Sequence, residues 1–259
     1  MAIQVLINGT MANRAIVTKG YVEAFIADYN NRLLAEAELT RGLSMPINIL
    51  LEARFNPSLE SENVLVPGIA GLVLLIFPAV LAAISLSRER ESGMILNFYT
   101  SPLSRFQFLL GKGLPLLTIG LINYVIFFAL TLWLFHVPFG GDFVTLMLAT
   151  VLYLITTVGL GFLVATLVRS EVAALLIAAI VTFLPGFLYS GLMMPVESMG
   201  AEGKMMASIL PAYYFIRVAK AVFLKNMGMG SLLVEISALA AIAVALFGLA
   251  IWRLKKKMG

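Results

Sequence analysis

Residues 64–93 read VLVPGIAGLVLLIFPAVLAAISLSRERESG. The run Val64–Leu86 carries no charge, and its length is close to the ~20 residues a helix needs to cross a hydrocarbon core. Four similar runs follow: Leu114–Phe135, Phe143–Val168, Val172–Met193 and Leu232–Trp252. Only the last holds a charged residue, Glu235, near its start. Barrel strands would be ~9–11 residues long with alternating polarity, so these runs predict helices. The whole chain of 259 residues agrees: 61% of it is hydrophobic and 12% charged, with mean hydropathy +0.98. Soluble domains average ~45–50% and ~25%. That excludes a cytosolic enzyme, a disordered chain and a DNA-binding domain. No cysteine is present, so a disulfide framework, a cysteine zinc site and a thiol nucleophile are excluded too. The expected fold class is an all-α multi-spanning membrane protein with five transmembrane helices and a small α/β extracytoplasmic N-terminal segment.

Charge sets the expected orientation. Arg253, Lys255, Lys256 and Lys257 crowd the C-terminus, which places it inside. Counting back across the spans puts residues 87–113 and the tight Arg169–Glu171 turn inside as well. Nine basic and three acidic residues then lie inside, and nine basic and eleven acidic outside, so the two sides carry +6 and −2. Trp133 and Trp252 fall near opposite faces, as interfacial aromatics do. A multi-pass protein of a bacterial cell (inner) membrane, surrounded by lipid, is the expectation.

Residues 1–63 are then extracytoplasmic. Ile3–Leu6 reads as a strand. Val22, Phe25, Ile26, Tyr29 and Leu33 lie at helical spacing within Ala12–Ala37. Ile47, Ile49 and Leu51 alternate as in a second strand. A membrane-surface helix is the rival reading of Ala12–Ala37, but its polar face is acidic. Carrying such a segment across a membrane requires a preceding signal or span. A further transmembrane helix upstream is therefore expected. The remainder, 64–259, is the transmembrane domain.

Ionisable groups at membrane depth, which mark ion-coupled transporters and pumps, are nearly absent here. Thr118, Asn123, Thr131, Thr156, Thr157, Thr182 and Ser190 are mildly polar. They hydrogen-bond locally or between helices on one reading; on another, Asn123, Thr157 and Ser190 line a substrate path. Gly159, Gly161 and Ala165, and Gly186 with Ser190, offer small-residue surfaces for close helix approach. Gly111–Lys112 is not a phosphate loop, because Phe106 and Gly113 stand where glycine and Ser/Thr are needed. His136 has no second ligand beside it, so no metal site is expected. A serine nucleophile would lack a membrane base. No catalytic residue is expected.

The longest inside connection is SRERESGMILNFYTSPLSRFQFLLGK, residues 87–112. Arg88-Glu89-Arg90-Glu91 opens it and Ser92-Gly93 breaks the pattern. Met94, Ile95, Phe98 and Tyr99 lie at helical spacing, and Pro102 with Ser104 can start another helix. Such short helices either float at the interface or dock into a groove on a soluble partner.

Arg88, Glu89, Arg90, Glu91, Gly93, Thr100, Pro102, Gly111 and Lys112 together resemble the signature of ABC-2 type transporter permeases. The residues after Gly93, Met94 through Asn97, depart from the Thr and acid usual there. Ser190–Pro195 through Met199, with Pro211 and Tyr213–Tyr214, resembles the family's external re-entrant segment, here 194–231. Asn56-Pro57 ahead of Pro67-Gly68 resembles the drug-exporter-like branch with an external domain. The family has six spans, the first preceding that domain.

The resemblance implies a permease subunit moving an apolar or amphipathic cargo, drugs included, outward. It implies a second permease chain, identical or related, paired along the small-residue faces. It also implies a separate ABC ATPase, which binds ATP; this chain then binds no cofactor and no nucleic acid. The ATPase would be held by Arg88, Glu89, Arg90, Glu91, Gly93, Met94, Ile95, Phe98 and Pro102, with Glu89, Arg90 and Glu91 pairing charges and Met94, Ile95 and Phe98 filling its groove. The competing readings are an ion-gradient transporter and a structural or assembly membrane protein.

Overall fold

The computed structural model describes residues 2–8, 12–39, 48–54 and 60–254. The chain divides into two compact units, Met1–Val64 and Leu65–Gly259.

In the first unit, β1 (Ala2–Asn8) and β2 (Asn48–Arg54) pair in parallel, from Ala2 opposite Asn48 to Asn8 opposite Arg54. Parallel strands need a long crossover, and α1 (Ala12–Leu39) lies between them in the chain. Ala15 is buried, and Val22 and Ile26 are half-buried two and three turns further on. Phe25 and Tyr29, read in the sequence as part of one apolar face, are instead exposed together with Tyr21. The Leu33 side chain, Ile47, Asn56-Pro57 and Lys255–Lys257 lie outside the described residues.

The second unit is nearly all helix. Among the described residues, five helices are long and apolar enough to cross a membrane: α2 (Glu62–Glu91), α4 (Arg105–Trp133), α5 (Phe143–Leu167), α6 (Glu171–Tyr189) and α9 (Leu233–Arg253). Between α2 and α4 lies the short α3 (Ile95–Thr100). α4 begins well before the apolar run read at Leu114. Ser104 caps it, its hydroxyl accepting from the Gln107 N–H at 3.2 Å while Gln107 Oε1 accepts from the Ser104 N–H at 2.9 Å. This reciprocal capping box starts the helix at Arg105. α6 stops at Tyr189, before the run read to Met193, and Gly191 follows at φ +79°. Asp142 caps α5, accepting from the N–H groups of Val144 and Thr145 at 3.1 and 3.2 Å and from the Thr145 hydroxyl. These bonds, the Thr145 hydroxyl first, hold the pKa of its carboxyl below its ordinary value against the opposing effect of desolvation.

α5 is the central helix, buried over much of its length from Thr145 to Ala165. The small residues serve this packing. A Cβ on Gly161 would lie 2.1 Å from the Ala79 carbonyl oxygen of α2, and one on Gly159 3.2 Å from the Phe247 nitrogen of α9. Gly186 faces Leu75 and Leu72 of α2, and Ala165 is fully buried. The expectation that these faces pair two permease chains is thereby corrected. Each is already spent inside one chain, because helices can approach closely only where no side chain intervenes.

α7 (Ala201–Ile209) and α8 (Pro211–Lys225) meet at 86° across Leu210. Pro211 is tolerated at the first turn of α8, where its missing N–H has no partner to lose. α8 buries Phe215, Ile216, Ala219, Val222 and Phe223. The Phe215 ring stacks on Tyr153 of α5 with centroids 4.3 Å apart, and the Tyr153 hydroxyl donates to the Gly71 carbonyl of α2 at 2.9 Å. Polar groups tie α8 to its neighbours. Arg217 pairs with Glu235 of α9 at 3.2 Å, and the Lys220 ammonium donates to the Gly191 carbonyl beyond α6 at 2.8 Å.

Candidate functional site

α2 does not end with its apolar run; it continues through Glu91. The last turn therefore carries Arg88, Glu89, Arg90 and Glu91. The chain then reverses at Gly93, whose φ of +77° an L side chain rarely adopts. Nothing would meet a Cβ there, so the glycine serves conformation and not space. α3 follows, then Ser101-Pro102, where the Ser101 hydroxyl accepts from the Leu103 N–H at 3.2 Å, and then the capping box of α4.

α3 lies against its own chain. Ile95 and Phe98 are 6% and 4% exposed and pack with Leu86, Leu109, Val158, Phe162 and Ala250. Phe98 stacks on Phe108 with centroids 4.1 Å apart. Met94, by contrast, is 52% exposed, as is Phe106; Leu96 and Leu103 are exposed too. Of the three side chains read as groove-fillers, Met94 alone faces outward.

The four charges all find partners within the chain. Glu89 pairs with Lys112 of α4 at 2.5 Å. Arg90 donates through Nη1 to the carbonyls of Ala165 and Val168, the latter at 3.2 Å. Glu91 accepts from the backbone N–H of Glu171 at 2.6 Å. Arg88 pairs with the Glu171 carboxylate at 3.2 Å. The placement follows helix electrostatics. The last carbonyls of α5 are orphan acceptors at a negative dipole end, and an arginine meets them; the first N–H groups of α6 are orphan donors at a positive end, and a glutamate meets them. Four consecutive residues thus hold α4, the end of α5 and the start of α6.

Sequence reasoning missed Glu171 and Gln107. Glu171 is the sole acid in the short turn after α5, and the topological count already placed it on the same side as Arg88. Gln107 sits three residues after Ser104, which is the spacing of a capping box. The residues read as a substrate path are dispersed over three helices. Asn123 is exposed on α4. Thr157 is buried on α5, donating to the Leu154 carbonyl at 3.0 Å. Ser190 is buried at the end of α6, its hydroxyl without a hydrogen-bond partner among the described residues. Also among the described residues, no group of three His, Cys, Asp or Glu side chains is placed to hold a metal ion.

A family model described as ABC-2 family transporter protein matches residues 1–252. The chain belongs to the ABC-2 transporter family. Among its curated relatives is "Probable multidrug ABC transporter permease YbhR" of Escherichia coli, 28% identical over 226 residues, covering 86% of this chain and 60% of that protein. "Probable multidrug ABC transporter permease YbhS" of the same organism is 27% identical, covering 99% of this chain and 67% of that one. "Inner membrane transport permease YhhJ" is 26% identical, covering 99% and 68%. The ABC-2 chain thus spans about two thirds of the length of the relatives it matches. Its loop between α2 and α4 carries the residues on which the ABC-2 resemblance was read.

Proposed function

We propose that this chain is the permease subunit of an ABC exporter, moving an apolar or amphipathic cargo outward under the power of a separate ATPase. The observation that carries the reading is the division of labour in the loop. Its charges grip the bundle while Met94, Leu96, Leu103 and Phe106 are left outside. An exposed apolar strip beside a rigidly held helix is what a soluble partner's groove can grasp. The naming of relatives as multidrug ABC transporter permeases supports it.

On this reading ATP is bound by the partner, and this chain contributes no catalytic group. Met94 and its exposed neighbours dock the ATPase. Gly93 and Pro102 shape the loop, while Ile95, Phe98 and the Arg88–Glu91 charges weld it to the helices that must move. The loop and the C-terminus face the cytoplasm and residues 1–63 the opposite side, as the charge count requires. The bent α7–α8 pair is the external re-entrant segment, and a second permease chain completes the pathway. Spans nearly free of charge favour an apolar cargo, with Asn123, Thr157 and Ser190 as candidate polar points on its route.

The test is co-purification of the full chain from its native membrane. Recovery of an ABC ATPase with the wild type, and its loss with Met94→Glu, is the expected outcome. A chain that never brings down an ATPase would overturn the assignment and favour an ion-driven or assembly role.

A further inference from the structure

α6 is held more lightly along its length than α2 or α5. Its buried residues are Ala174, Ala178, Thr182 and Gly186, one small residue per turn in a single line. Ala174 and Ala178 lie with Val80 and Ala83 of α2 and Leu160 and Val164 of α5, and Leu75 lies over Gly186. Large side chains cover the other faces, among them Ile180, Phe183, Leu184 and Phe187, all exposed. Leu75 fills the notch left by Gly186, and the rest of the line is small residues. Polar contacts fix the two ends. Beyond the C-terminus, Lys220 holds the Gly191 carbonyl. At the N-terminus, Glu91 accepts the first N–H and Arg88 holds the Glu171 carboxylate.

We propose that Glu171 is the positioning residue through which the loop between α2 and α4 moves α6, the clasp of Arg88, Glu91 and Glu171 staying closed so that loop and helix shift as one body. This rests on the reading that an ATPase drives the loop. Arg90 ties the same loop to the α5 carbonyls just before the turn, so a shift of α3 is delivered to the α5–α6 corner. Half-exposed ion pairs contribute little to stability. The clasp therefore serves to transmit position, and its removal uncouples motion without unfolding the chain.

The test uses the full chain with its co-purified ATPase in lipid nanodiscs. The natural chain has no cysteine, so a single Val181→Cys carries a fluorescent probe on the exposed face of α6. In the otherwise unaltered complex, ATP with vanadate changes the probe signal. Glu171→Arg lowers that change roughly tenfold, as expected for loss of a coupling interaction, while ATPase recovery and melting temperature stay near those of the parent. Arg88→Glu with Glu171→Arg restores it. A full signal in Glu171→Arg, no rescue by the double reversal, or no ATP-dependent signal on α6 while the ATPase is bound would each overturn the proposal. Absence of a co-purifying ATPase strikes the functional reading instead, so the two failures are distinct.

Discussion

Gly161 and Gly111 show how one residue type plays opposite parts. A Cβ on Gly161 would meet the backbone oxygen of Ala79, which cannot swing aside. Gly161→Ala is expected to cost about 1–3 kcal/mol through overpacking, read as a lower melting temperature in detergent. Gly111 has nothing within 4 Å of its Cβ position and lies within helix α4. Gly111→Ala is expected to be neutral or to stabilise by about 0.5–1 kcal/mol. Asp142 gives a pH signature. Its hydrogen bonds hold its pKa below that of an unfolded chain. Its contribution is therefore complete above the ordinary carboxylate range and is lost as pH falls through the lowered folded value. Acidification should lower the melting temperature, and Asp142→Asn should show a smaller fall.

α3 is the element where sequence and structure part most instructively. The spacing of Met94, Ile95 and Phe98 predicts a helix, and one is present. Spacing alone does not say which of its faces looks inward, because both sides of a short surface helix carry apolar residues. The bundle decides. Phe108 and Leu109 of α4 provide the surface that takes Phe98. Phe98→Ala should then cost about 3–5 kcal/mol as a buried aromatic, seen as loss of folded protein. Met94→Glu should leave the melting temperature unchanged and act on partner recovery alone. The charges were equally ambiguous. A run of four alternating signs reads as a solvated rim or a partner's contact, and distant residues such as Ala165, Val168 and Glu171 turn it into an internal brace.

Across the whole molecule, the expected topology is open to direct labelling because the natural chain is free of cysteine. Tyr21→Cys, exposed on α1, should react in intact cells with a membrane-impermeant maleimide once past the outer membrane. Ser101→Cys in the loop should react only after the inner membrane is opened. The reverse pattern would invert the assigned orientation. Glu89→Lys with Glu91→Lys should leave insertion intact, since the spans are unaltered, but impair transport, because the loop then loses Lys112 of α4 and the first N–H of α6 and keeps only the Arg88–Glu171 pair at α6. Transport at the wild-type rate would count against the brace.

Composition and charge alone determined that this is a helical membrane protein, where its five spans lie and which loop carries its signal. Those are properties of single segments: twenty apolar residues need lipid whatever their neighbours are, and basic loops resist translocation individually. Partnership between segments was decided only by the folded chain. The small residues are consumed by packing α5 against α2 and α9, the Arg88–Glu91 run embraces the α5–α6 corner, and the bent α7–α8 pair is bound to the bundle by the Tyr153–Phe215 stack. Each depends on residues dozens of positions apart meeting with the right geometry, and no local pattern records such a meeting.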